Sequence, residues 1–225
     1  MCEVNFDIEK NVKNVLNEIA VGNDRGEKIT LVAATKTVPA ELINRAITAG
    51  VEVVAENRVQ EFREKTDLIL GARQDFIGHL QTNKVKYLVG RVDVIHSTDS
   101  LKLAEVISAQ AAKRGVVQKV LIEINVGGEL SKSGFTPENA KDAFSAISAL
   151  PFLKVTGLMA MLPKTDDEGL KEKLCLQMRG IYDKINGEGG NLSVLSMGMS
   201  ADYKTAIRCG SNEIRLGSAL FGKRV

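Results

Sequence analysis

The sequence predicts an α/β fold: a single (β/α)8 TIM barrel with an extra N-terminal helix. Short apolar runs rich in Val and Ile alternate with longer amphipathic segments. About eight such strand–helix units fill roughly 195 residues. The runs are continuously apolar, as parallel strands buried on both faces should be. Eight parallel units close into a barrel, with a doubly wound open sheet as the competing arrangement. No linker, low-complexity tract or composition shift divides the chain, so residues 1–225 read as one domain.

The elements follow in order. Residues 5–20, "NFDIEKNVKNVLNEIA", set Ile8, Val12, Val15, Leu16 and Ile19 at helical spacing, with Phe6 off the stripe. The strand runs are "ITLVAAT", "VEVVAE", "DFIGHL", "VDVIHS", "KVLIEINV", "LKVTGLMA", "LSVLSMG" and "EIRLG". Between them, "PAELINRAITAG" has Pro39 in its first turn and Gly50 past its end. "DSLKLAEVISAQAAKRG" starts at Asp99 or Ser100 as cap and stops at Gly115. "TPENAKDAFSAISAL" offers Thr136 as cap and Pro137 as first helical residue. "TNKVKYLVG" is a shorter helix.

Composition excludes several function classes. Hydrophobic content of 44% and charged content of 26% are ordinary for a globular protein. A net charge of +2 leaves no basic stripe for nucleic acid or an anionic membrane. Aromatic content of 4% without tryptophan offers no stacking platform for single-stranded nucleic acid. Cys2, Cys175 and Cys209 are far apart and odd in number, which suits reduced thiols in a cytoplasmic protein. With His79 and His96 as the only histidines, no metal centre is expected. The first residues lack a signal-peptide core, and no apolar run approaches the roughly 20 residues of a membrane span.

In such a barrel the chemistry sits at the C-terminal ends of the strands. The runs deliver there Lys36; Glu56, Asn57 and Arg58; His79, Gln81 and Asn83; His96, Ser97 and Thr98; Glu123 and Asn125; Met159 and Met161; then "SMGMS" and "RLGS". "LVAATK" reads as a strand ending on Lys36. A partly buried lysine has a lowered pKa and can condense with a carbonyl. Taken alone, such a lysine more often reaches solvent or pairs, here with Glu56. Ser200 reads as the cap of a helix starting near Ala201, with Asp202 in its first turn. Gly217 permits close backbone approach, and Ser218 offers an N–H and a hydroxyl. Loops after the seventh and eighth strands form the recurrent phosphate site of this fold, although the same residues also serve as plain turn and cap. Lys36 together with these residues suggests a ligand with both an aldehyde and a phosphate, for which pyridoxal 5′-phosphate is the candidate.

The stretches "LVAATKTVPAELI", "AENRVQE", "FIGHLQTNK", "GLMAM" and "LSMGMSADYKTAIRCGSNEIRLGSALFG" make the resemblance specific. Over essentially its whole length the chain resembles the YggS/PROSC family of pyridoxal phosphate homeostasis proteins. The resemblance implies the fold of the alanine racemase N-terminal domain. It implies that Lys36 forms the Schiff base with the cofactor and that Ser200, Gly217 and Ser218 bind its phosphate. Arg215 matches the arginine that faces the pyridine nitrogen, and Asn57 an asparagine close to the cofactor. Ala55 stands where the family motif often has Gly. From the residues alone, Arg215 also suits a barrel-interior ion pair with Glu213 or Glu123. His79 and the loop "GGELSKSGF" (127–135) are left as lid or surroundings.

The expected function is that of a cytoplasmic, monomeric carrier that buffers pyridoxal phosphate or delivers it to apo-enzymes, without nucleic-acid or membrane partners and with no catalytic residue assigned. Similar racemases take a second acid/base tyrosine from a further β domain. This sequence ends at "FGKRV", and Tyr87, Tyr182 and Tyr203 read as helix-face or packing residues. The alternative is a weak amino-acid racemase or a Schiff-base aldolase.

Overall fold

The computed structural model describes residues 7–129 and 132–222. Cys2 and Phe6 lie outside the described residues. Eight strands alternate with helices: α1 (Ile8–Ile19), β1 (Thr30–Ala34), α2 (Ala40–Thr48), β2 (Val53–Glu56), α3 (Val59–Lys65), β3 (Arg73–Phe76), β4 (Val94–Thr98), α4 (Leu101–Arg114), β5 (Gln118–Ile124), α5 (Ala140–Ser148), β6 (Leu153–Ala160), α6 (Glu168–Gly187), β7 (Val194–Ser196), α7 (Tyr203–Arg208), β8 (Glu213–Leu216) and α8 (Ser218–Phe221). All neighbouring strands pair in parallel, and β8 pairs with β1 to close the barrel. The open sheet is thereby excluded.

Period two along each strand sorts the barrel. Ile214 and Leu216 of β8 pack outward with Leu31 and Ala33 against Ile43 of α2 and Ile8, Val12 and Ile19 of α1. Val32, Val53, Ala55 and Ile77 fill one part of the interior, and Val94, Leu121 and Met159 another. The larger outer core runs from Phe62 and Phe76 round to Leu195.

Helix ends mostly follow local chemistry. Asp7 caps α1 by accepting from Lys10 N–H at 2.9 Å. Ser100 caps α4 through Leu103 N–H at 3.3 Å, and Gly115 ends it at φ +65°. Four readings need correction. Pro39 is the N-cap of α2 and not inside it. α5 begins at Ala140, because Pro137–Asn139 form a turn ahead of it. "TNKVKY" is a 3-10 helix, Thr82–Tyr87. The strand run "DFIGHL" also starts too late: β3 begins at Arg73 and ends at Phe76. The polar Arg73 and Gln74 at its start read as loop.

Those charges belong to a network in the barrel interior. Arg73 donates to both oxygens of Asp75, the shortest bond being 2.7 Å, and reaches Glu213 at 3.3 Å. His96 Nε2 lies 3.1 Å from Asp75, and its Nδ1 lies 3.5 Å from Glu213. His96 was expected at the mouth, but its position in the middle of β4 points it into this network. Arg73 already supplies the cation that these two carboxylates need. Cys175 and Cys209 are buried free thiols. No helix among the described residues is long and apolar enough to cross a membrane.

Candidate functional site

A cavity of about 570 Å³ opens at the C-terminal ends of the strands. Lys36, Asn57, Ser200, Arg215, Gly217 and Ser218 all line it. Ala34, Ile77, Met161, Met199 and Ala201 supply the rest of the lining; of these Met161 and Ala201 were named from the sequence. The apolar members are found by counting in twos along strands whose inward register is known.

Lys36 is not on a strand. β1 ends at Ala34, and Lys36 lies in the following turn. The next residue, Thr37, has φ +62°, a conformation that a β-branched side chain rarely adopts. Glu61 anchors that turn by accepting from Thr37 N–H at 2.6 Å. A strained residue held this way fixes where its neighbour points. Glu56 is not the partner of Lys36. It is bound by Lys65 Nζ at 2.8 Å and by Thr35 Oγ1 at 2.8 Å. Burial raises the Glu56 pKa, against the pull of those two bonds. Among the described residues Lys36 Nζ has no hydrogen-bond or ion-pair partner.

Across the cavity, Ser200 departs from its expected role. α7 starts at Tyr203 with Asp202 at the cap position. Asp202 Oδ1 accepts from Met199 N–H at 2.6 Å, while Ser200 Oγ accepts from Ala219 N–H at 3.2 Å. Ser200 therefore ties the loop after β7 to the start of α8. Gly198, at φ +100°, lets that loop close, because a Cβ there would lie 2.8 Å from Ala206 Cβ. Among the described residues, the N–H groups of Ser200, Ala201, Gly217 and Ser218 have no partner. These residues line the same cavity as Lys36.

Arg215 forms the floor. It is 5% exposed and donates to Ser196 Oγ at 2.6 Å and to Ala160 O at 2.9 Å. It makes no close ion pair with Glu213, which turns to Arg73 and His96. Burial pulls its pKa down, against the attraction of Glu213 and Glu123. Glu123 is buried nearby, and its carboxyl is pushed up to about 7, first by burial and then by Asp99, with Arg215 and Lys132 opposing. Asn57 is seated by Gly78, whose missing side chain leaves room for the Asn57 carbonyl.

His79 and Gln81 do not join this cavity. They line a smaller cleft next to it, where His79 Nδ1 lies 3.2 Å from Asp99. Tyr182 O–H donates to Leu192 O, Tyr203 bonds to Glu18, and Tyr87 lines the smaller cleft. In the loop 127–135, Leu130 and Ser131 lie outside the described residues. Lys132 Nζ donates to Leu162 O at 3.2 Å and pairs with Glu129.

The sequence signature described as "Alanine racemase, N-terminal domain" matches residues 8–225. A pyridoxal phosphate homeostasis protein of Aquifex aeolicus is 45% identical over 204 residues, spanning 89% of this chain and 90% of that protein. One of Escherichia coli is 35% identical over 228 residues, 97% of each. Among solved structures, PipY of Synechococcus elongatus with PLP bound superposes at a TM-score of 0.83 and 30% identity, covering 96% of this chain and 100% of that one. An alanine racemase of Clostridium difficile shares the fold alone, at a TM-score of 0.77 and 18% identity over 58% of its length. The chain belongs to the alanine racemase N-terminal domain family and, within it, to the pyridoxal phosphate homeostasis proteins.

Proposed function

We propose that this protein binds pyridoxal 5′-phosphate in the barrel-mouth cavity, buffers it and hands it to apo-enzymes. The observation that carries the reading is the convergence of Lys36 and the Ser200–Gly217–Ser218 wall on one cavity. The residues fit the cofactor on their own chemistry. An amine without a partner, unspent N–H donors and a cationic guanidinium share one cavity. Relatives of 45% and 35% identity carry the homeostasis name, and a 30% identical structure holds PLP.

When bound, the cofactor supplies an aldehyde that condenses reversibly with a lysine amine. Lys36 offers that amine, held in place by the turn at Thr37. Ser200, Gly217 and Ser218 hold the phosphate through N–H and hydroxyl donors at the start of α8. Asn57, just past β2, would help to hold the cofactor from the cavity wall. Arg215 keeps its charge even when buried and opposes a proton on the ring nitrogen. That leaves the ring a poor electron sink and favours holding over turnover. Tyr182 and Tyr203 are engaged elsewhere, so neither supplies a second acid/base group. The same reading makes the protein a cytoplasmic monomer acting as one domain.

The purified protein with pyridoxal phosphate is expected to be yellow, and borohydride should fix the cofactor to the chain. Lys36→Ala should abolish both the colour and the fixation. A variant that stayed equally yellow and was still fixed would refute Lys36 as the anchor. For delivery, loaded protein should reactivate an apo-enzyme even when a trap removes free cofactor. Reactivation that disappears with the trap would leave buffering alone.

A further inference from the structure

A second, smaller cleft of about 250 Å³ lies beside the cofactor cavity and shares Asn57 with it. Its walls come from α3 and the 3-10 helix Thr82–Tyr87. Phe62 and Val85, each 1% exposed, anchor these two elements in the core. The side chains on their other faces, Arg63, Lys84 and Lys86, are exposed. They gather on one ring: the Arg63 guanidinium lies 4.6 Å from the Tyr87 centroid, Lys86 Nζ 5.1 Å and Lys84 Nζ 5.9 Å. The negative face of one tyrosine offsets only part of the repulsion among three cations.

The carboxylates close by in the chain are already engaged. Glu61 reaches Arg58 at 3.6 Å but binds Lys65 at 2.8 Å and Thr37 N–H at 2.6 Å. Glu64 accepts from Gln60 at 2.6 Å, and Asp99 lies 3.2 Å from His79. Among the described residues, Arg63, Lys84 and Lys86 have no carboxylate partner. A chain with a net charge of only +2 thus concentrates unpaired positive charge at one place on the barrel rim.

We propose that this cleft is an anion site that takes the phosphate of a small phosphate monoester. Arg58 and Arg63 supply forked N–H donors matched to phosphate oxygens, and Lys84 adds a point charge. At about 250 Å³ the cleft is sized for a small molecule. An anion there sits at the edge of the cofactor cavity, so the cleft raises the local concentration of phosphate-bearing ligands at the mouth. Two sources share this chemistry: the cofactor in transit, or a separate phosphorylated metabolite. The assignment stands on the cleft's own charges and does not need Lys36 to bind anything.

The test is a ¹H–¹⁵N NMR titration of the full chain with inorganic phosphate, against sodium chloride at matched ionic strength. Saturable shifts are expected at the Arg63 side chain and at Tyr87. The double variant Arg63→Gln, Lys84→Gln should weaken the phosphate response at Tyr87 by about tenfold or more. Signals of Ser200 and Gly217 report the main cavity separately and should respond equally in both proteins. Their silence would count against the cofactor reading but not against the cleft. Repeating the titration on Lys36→Ala with pyridoxal phosphate and with glycerol phosphate separates the sources. Tighter binding of pyridoxal phosphate at Arg63 identifies cofactor in transit, and equal binding a general phosphate site. The proposal fails if Arg63 and Tyr87 respond no more than to chloride, or if the double variant changes nothing. It also fails if a polyglutamate peptide saturates these signals while phosphate does not, which would make the cleft a contact for an acidic protein surface.

Discussion

At the residue scale, Glu123 shows how the barrel interior sets a protonation state. It faces inward from β5, next to the charge of Arg215, and burial holds its pKa near 7 against an ordinary 4.5. Between those values the folded chain keeps a proton that the unfolded chain has lost. Stability therefore falls as pH rises through that window, and above it the chain is less stable by on the order of a few kcal/mol. Glu123→Gln removes this group's share. Urea unfolding at about pH 5 and about pH 8 should show a smaller loss in the variant than in the wild type. Equal losses would mean that Glu123 is ionised throughout. Lys36 carries a related lesson. Its identity was legible in the sequence; its freedom was not, because that depends on Lys65 having taken Glu56.

At the element scale, the site depends on how closely β2 and β3 approach at the mouth. A Cβ on Gly78 would lie 1.9 Å from the Asn57 carbonyl. Gly78→Ala must therefore push the segment after β3 away, at a cost of about 1–3 kcal/mol, and displace Asn57 as it does so. Thermal unfolding and the Asn57 amide signal check this, and an unmoved signal with unchanged stability would contradict it. The same segment explains where strand reading failed. "DFIGHL" is apolar enough to look like strand, yet β3 is "RQDF", whose Arg73 and Asp75 pair with each other and with Glu213 and His96 from β8 and β4. Likewise Ser200 has the composition of an N-cap, but its hydroxyl is claimed by Ala219, nineteen residues away in sequence.

At the scale of the whole molecule, the two ends of the barrel interior do different work. The mouth holds the cavity; the opposite end holds Arg73, Asp75, His96 and Glu213, brought together from β3, β4 and β8. Removing the buried Asp75 carboxylate there leaves Arg73 and His96 without their shared partner. Asp75→Ala should cost about 3–5 kcal/mol in urea unfolding. A loss in the range of an exposed pair, about 1 kcal/mol or less, would show that the network is not what holds that end.

By itself the sequence determined the alternation of eight strands with helices, because hydrophobic period and turn chemistry are local. It also pointed, through family motifs, to Lys36, Asn57, Ser200, Arg215, Gly217 and Ser218, which all line one cavity. Only the tertiary structure decided that Lys36 sits in a turn beyond β1, that Arg215 bonds to Ser196 and Ala160, and that His96 points away from the mouth. Each of these depends on which side chains meet across strands far apart in the chain. That is set by barrel closure and register, which no local pattern encodes.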